Sequence, residues 1–214
     1  FERLLDTLLR VERAAAAAPD DVRAFLSHGA EADFRAEGRR IARWLGPAAR
    51  EALDSMIAEA FGDAVPVPGP LDVRAENAID AGGDVVLIDF AGMGADYTER
   101  RLAGYMWTAL PSPRSALAKE HYRAALHRLG QKAALRLAFF DFAHCARALE
   151  RCGGAGASKS GALDAGSASS RSDAGKAILE RLFEEWRRSR IRDPRVEALR
   201  FGLLFRGSGD SSPG

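Results

Sequence analysis

Asp72, Asn77 and Asp89 stand in one short stretch, DVRAENAIDAGGDVVLIDF, which runs from Asp72 to Phe90. An aspartate is followed five positions on by an asparagine, then by a turn between two apolar runs, then by an aspartate that closes the second run. Phosphoryl transfer from MgATP calls for such a set. One carboxylate orients the acceptor hydroxyl, while an amide and a second carboxylate hold the magnesium that neutralises the phosphates. A loop from Asp72 to Asn77 can double back so that both side chains face one cation. The twelve positions from Asn77 to Asp89 leave room for two short strands and a five-residue turn, so Asp89 can share the same metal.

The flanking chain has to hold that stretch in place. Leu4, Leu5, Leu8, Leu9 and Val11 recur at helical spacing, so residues 1–18 read as an amphipathic helix. Pro19-Asp20-Asp21 ends it and can cap a second helix over 22–26. A third helix is expected over 32–45, with Phe34, Ile41, Trp44 and Leu45 inward. A fourth is expected from Pro47, which suits a first helical turn, to Ala60. VPVPGPLD reads as extended, because proline disfavours helix in its predecessor. Residues 77–79 and 85–88 read as strands joined by the turn 80–84. GMGAD, 92–96, reads as a loop. Helix resumes from Tyr97 to Trp107, stops at Pro111-Ser112-Pro113, and covers 115–149 with Gly130 as a candidate break.

Composition narrows the function classes. Hydrophobic content of 47% and charged content of 29% are ordinary for a soluble globular protein. A formal net charge of +1 predicts no strong field for steering polyanions. Cys145 and Cys152 fall in one expected helix, about 10.5 Å apart along its axis, too far for a disulfide. No CxxC pair occurs, so a reducing, cytoplasmic setting is expected. The apolar runs are too short or too interrupted for a membrane span. His28, His121, His127 and His144 show no metal-binding spacing, and no GxSxG motif suggests a serine hydrolase.

The Asp72–Phe90 stretch resembles the catalytic core of the aminoglycoside phosphotransferase family, within the protein-kinase-like superfamily. That family shows HGDLxxxN and then a strand ending in IDF or IDW. The counterparts here are PLDVRAEN, from Pro70 to Asn77, and IDF, from Ile88 to Phe90. The resemblance implies that Asp72 is the catalytic carboxylate and that Asn77 and Asp89 are ligands of Mg2+, with ATP as phosphoryl donor and a small-molecule hydroxyl as acceptor. It also extends, less specifically, to a late helix at 130–149. The implied fold is α+β and mainly helical: the C-terminal lobe of a kinase-like fold, over residues 1–150, with a β hairpin at its catalytic edge.

The stretch departs from the family pattern in two ways. Pro70 and Leu71 stand where the family carries a histidine and a glycine, and that histidine normally braces the loop. Seventy-one mostly helical residues precede Asp72, and the first lysine is Lys119. No strand lysine can therefore reach the phosphates from its usual place, and the N-terminal nucleotide lobe is read as missing from this sequence. The start at Phe1 favours a chain cut from a longer one; a separate partner lobe, or a degenerate kinase-like module that binds without catalysing, would fit the same residues.

Other groups have plainer readings. Arg74 sits on a solvated loop or assists at the phosphate. Asp96 ties down its loop or caps the helix from Tyr97. Residues 153–175 are rich in glycine and serine and read as a flexible loop. Residues 176–206 read as a C-terminal helical segment packed on the lobe, with a helix over 176–190, and 207–214 as a disordered tail. Arg187, Arg188 and Arg190, interleaved with aromatic residues, raise nucleic-acid binding as a further alternative. Neighbouring glutamates make an amphipathic helix with a charged outer face the simpler reading.

Overall fold

The computed structural model describes residues 1–26, 33–90, 92–109, 115–154, 180, 184 and 193–205. The expected loop over 155–175, most of the helix over 176–190, the three arginines Arg187, Arg188 and Arg190, and the tail lie outside the described residues. The chain is α+β and mainly helical. In order come α1 (Glu2–Ala16), α2 (Asp20–Leu26), α3 (Phe34–Ala42), α4 (Pro47–Phe61), β1 (Val67–Pro70), a 3-10 turn (Ala75–Asn77), β2 (Ala78–Asp80), β3 (Val85–Leu87) and β4 (Met93–Asp96). There follow α5 (Thr98–Ala109), α6 (Ser115–Ala124), a π turn (Ala125–Leu129), α7 (Gln131–Gly154) and α8 (Pro194–Phe205). No helix among the described residues is long and apolar enough to cross a membrane.

α7 is the axis of the core. Leu135, Leu137, Phe139, Phe140 and Phe142 are all buried, so the helix is apolar on nearly every side, as a central helix must be. α3, α4, α5 and α8 pack around it. Phe61 of α4 sits in an aromatic cluster, stacked on Phe34 at 4.5 Å and edge-on to Phe139 at 5.0 Å and Tyr97 at 5.2 Å. The local signals explain the boundaries. Asp33 caps α3 by accepting from Ala36 N at 3.0 Å, and Pro47 opens α4. Gly130, with φ +85°, separates the π turn from α7, which is the break its position suggests. α7 runs to Gly154, two residues into the stretch read as loop.

Two antiparallel strand pairs carry the site. β2 and β3 form the hairpin, with Ala78 opposite Leu87 and Asp80 opposite Val85, and Gly82 and Gly83 supply positive φ in its turn. α1 holds the hairpin from below: Thr7 Oγ1 donates to Val85 O at 2.9 Å and Arg10 pairs with Asp84 at 2.8 Å. β1 pairs with β4, Val67 opposite Asp96 and Pro70 opposite Met93. Residues 93–96 were expected as a loop and are instead a strand. The reason is the extended proline stretch across from them, which offers its backbone groups along one edge. Pro68 and Pro70 are tolerated because each strand of a two-stranded sheet is an edge strand.

Candidate functional site

The loop from Asp72 to Asn77 doubles back. Asn77 was expected in the first strand but closes the 3-10 turn, with its N–H donated to Arg74 O at 3.1 Å. Its side-chain Nδ2 donates to the main-chain carbonyl of Asp72 at 3.1 Å. An amide held this way turns its Oδ1 away from that carbonyl, and no described residue donates to that oxygen. Ile88 N then donates to Asn77 O at 2.9 Å, which extends the hairpin by one bond and sets Asp89 next in line. Asp89 is exposed and leaves the strand at φ +61°, the only described non-glycine residue with positive φ. Aspartate tolerates that conformation better than most residues, and such outliers gather at functional sites.

Asp72 and Asn77 are therefore in direct contact, and Asp89 follows Ile88, whose N–H bonds to Asn77 O. Among the described residues, no group of three or more histidine, cysteine, aspartate or glutamate side chains is arranged to hold a metal. A magnesium site here would rest on Asn77 Oδ1 and the Asp89 carboxylate, with water and phosphate oxygens completing the shell, as that ion commonly accepts. The donor chemistry fits: both would be oxygen ligands, with Asp89 exposed and Asn77 partly exposed.

Asp72 is half-exposed, and Arg74 Nε donates to its Oδ1 at 2.5 Å, which leaves Oδ2 as the open face. The loop is clamped from α5. Thr108 Oγ1 accepts from Ala75 N at 3.0 Å, and Gly104 lies beneath Val73 O. Arg101 is wholly buried and braces the strands that lead into the loop. Its Nε donates to Pro70 O at 2.8 Å. One Nη donates to Val67 O at 2.9 Å and Gly94 O at 3.2 Å, and the other to Glu12 Oε1 at 2.6 Å. Pro70 is thus held through its carbonyl by a buried arginine. The sequence reading missed Arg101. The available signal was its place one helical turn after Tyr97, a charge on a core-facing position.

Behind Asp72 the structure opens into a cavity of about 860 Å³ between the loop, α5 and α7. Leu71, Val73 and Gly104 line one side. Trp107 and His144 line another, stacked at 5.6 Å and nearly parallel. Asp96, Arg100, Arg147 and Glu150 supply charge. Asp96 both ties its loop to α5, accepting from Tyr97 N at 2.7 Å, and faces the cavity. Burial pushes its carboxyl above the ordinary range, against the pull of the Arg100 and Arg101 charges. Cys145 is a buried thiol of α7. His121 is buried too, its Nε2 3.2 Å from Asp141 Oδ2.

No family model, curated protein or solved structure matches this chain.

Proposed function

We propose that the chain is an ATP- and magnesium-dependent phosphotransferase acting on a hydroxyl of a small molecule, as its resemblance to the aminoglycoside phosphotransferase family implies. The observation that carries this reading is the bond from Asn77 Nδ2 to the Asp72 carbonyl, with Asp89 one residue beyond the Asn77–Ile88 bond. It supports a loop in which one carboxylate faces an acceptor while an amide oxygen and a second carboxylate face a cation.

Each residue then has a task. Asp72 lines the cavity, and its carboxylate takes the proton of the acceptor hydroxyl as the hydroxyl oxygen bonds to the γ-phosphorus and ADP departs. Arg74 holds Asp72 Oδ1 and adds positive charge beside the transferring group. Asn77 and Asp89 would hold magnesium, which neutralises charge on the phosphates. Ile79, Val86, Ile88 and Phe90 remain exposed on the hairpin beside Asp89 and offer an apolar surface for the flat face of a nucleotide base.

Calorimetric titration of the full chain with ATP, with and without magnesium, tests the reading. Magnesium-dependent binding that weakens about tenfold or more in Asp89→Asn is expected from the loss of a charged ligand. Binding indifferent to magnesium, or to that substitution, would overturn it. The rival reading, a kinase-like module that binds without transferring, draws on the close Arg74–Asp72 pair. An Arg74→Ala variant separates the two. Transfer by the unaltered chain that falls in the variant supports catalysis with Arg74 in that task, and binding without transfer in both proteins supports the rival.

A further inference from the structure

Arg100 has a distinctive position on the wall of the cavity behind Asp72. Its guanidinium lies 3.6 Å from Asp96 Oδ2 and 3.7 Å from Glu37 Oε1, and it makes no hydrogen bond to any described residue. The carboxylates around it are already engaged. Glu37 accepts from Arg147 through Oε1 and from Arg40 through Oε2 at 2.5 Å. Glu150 accepts from Arg40 at 2.9 Å and from Arg43 at 3.3 Å. Asp96 Oδ1 accepts from Tyr97 N. In this cluster four guanidiniums, of Arg40, Arg43, Arg100 and Arg147, share three carboxylates, of Glu37, Asp96 and Glu150. The guanidinium with its donors uncommitted is one that faces the cavity, and its side chain is about one third exposed.

The other charges on the cavity wall are balanced at close range. Arg101 is bonded to Glu12 at 2.6 Å and Arg74 to Asp72 at 2.5 Å. Arg100 therefore offers the cavity a planar fork of N–H donors, the geometry that grips a carboxylate or phosphate in a bidentate pair. Its charge disfavours a cationic ligand. Arg100, Gly104 and Thr108 recur at i, i+4 and i+8 on α5, so that face runs about 12 Å from Arg100 to the contact between Thr108 and the catalytic loop. That length matches a small molecule held at one end by its anion and offering a hydroxyl at the other. The Trp107–His144 stack gives its carbon skeleton a flat wall.

We infer that this cavity binds an anionic hydroxy compound, a sugar acid or hydroxy acid or a phosphorylated polyol, whose anion is gripped by Arg100 while a hydroxyl reaches Asp72. That it acts as acceptor rests on the phosphotransfer reading above; that it is anionic does not.

The test is calorimetry on the full chain without nucleotide, using matched pairs: D-gluconate against D-gluconamide, and D-glucose 6-phosphate against D-glucose, with kanamycin as the cationic probe. Each anion is expected to bind about tenfold or more tightly than its neutral partner, the value of one charge-assisted pair. The preference should shrink in Arg100→Gln and in high salt. Comparison of the two pairs distinguishes a carboxylate from a phosphate as the favoured anion. Equal affinity within both pairs, tightest binding of kanamycin, or no binding by any probe would overturn the inference. The paired probes need only the unaltered chain, so a misfolded variant leaves the test intact. Anion preference without phosphoryl transfer would uphold the ligand class and refute the role of Asp72. Transfer to a neutral or cationic acceptor alone would do the reverse.

Discussion

Arg101 donates its Nε–H to the carbonyl of Pro70 at 2.8 Å, two residues before the candidate catalytic Asp72. A fully buried guanidinium is costly unless every donor is matched, and here the fork reaches three backbone carbonyls and one carboxylate. The arrangement joins α1, β1 and β4 at a single side chain. A Cβ on Gly69 would lie 2.8 Å from Arg101 Cζ, so the strand can pass only as glycine.

Replacing Arg101 with methionine should therefore destabilise the fold by about 3–5 kcal/mol, because Glu12 is left buried and unpaired. Gly69→Ala should cost about 1–3 kcal/mol through steric overlap with the same guanidinium. In an Arg101→Met background the glycine substitution should cost measurably less, since the atoms it strikes are gone. Urea denaturation of the four proteins gives the coupling; strictly additive costs would refute the contact as its source.

Acid should act on the fold through Glu37. Burial raises its carboxyl, but hydrogen bonds and charge from Arg147 and Arg40 outweigh that and hold it below the ordinary range. A carboxyl lowered in the folded state stabilises above its unfolded value, and that stabilisation is lost as pH falls through the folded value. Glu12 and Asp96 run the other way. Burial holds both above the ordinary range, so their contribution is present in acid and fades as pH rises through their folded values. Glu37→Gln should lower stability at pH 7 by about 2–4 kcal/mol and flatten the decline below about pH 4. Denaturation midpoints taken across that range check it; an unchanged acid slope would contradict the assignment.

Asp141 sets the cavity wall from behind. Its Oδ1 accepts from Trp107 Nε1 at 3.3 Å and its Oδ2 from Tyr122 Oη at 2.9 Å, with His121 Nε2 3.2 Å away. Asp141→Ala should cost about 3–5 kcal/mol, because buried polar groups lose their acceptor together. The milder Asp141→Asn keeps the volume but halves the accepting capacity, and should cost about 1–3 kcal/mol. It should also alter Trp107 fluorescence, which a purely remote defect would leave unmoved.

The hairpin surface should behave as interface rather than core. Ile79 and Val86 face each other across β2 and β3 and are 49% and 47% exposed. Changing both to threonine should shift stability by no more than about 0.5 kcal/mol, while weakening nucleotide affinity several-fold if the proposed base contact is right. Thermal unfolding and nucleotide titration on the same protein separate the two effects. A large loss of stability would show the pair to be structural.

Much of the local architecture follows from short-range chemistry. Helical periodicity in 1–16 and 131–149, the cap at Asp33, Pro47 at a helix start, the glycine turn at 82–83 and the break at Gly130 each depend on residues within a few positions, so the sequence alone determined them. The five-residue spacing from Asp72 to Asn77 likewise dictated a loop able to close on itself. What tertiary structure decided is everything set by partners far apart in the chain. β4 exists because residues 93–96 meet the proline strand 67–70. The burial of Arg101 depends on acceptors at positions 12, 67, 70 and 94. The open guanidinium of Arg100 depends on arginines 40 and 147 having taken Glu37 first. Two adjacent arginines of one helix thus have different fates, one wholly buried with its donors matched and one about a third exposed without a side-chain hydrogen bond to a described residue. Both border the same cavity, and only the acceptors each meets there assign its role.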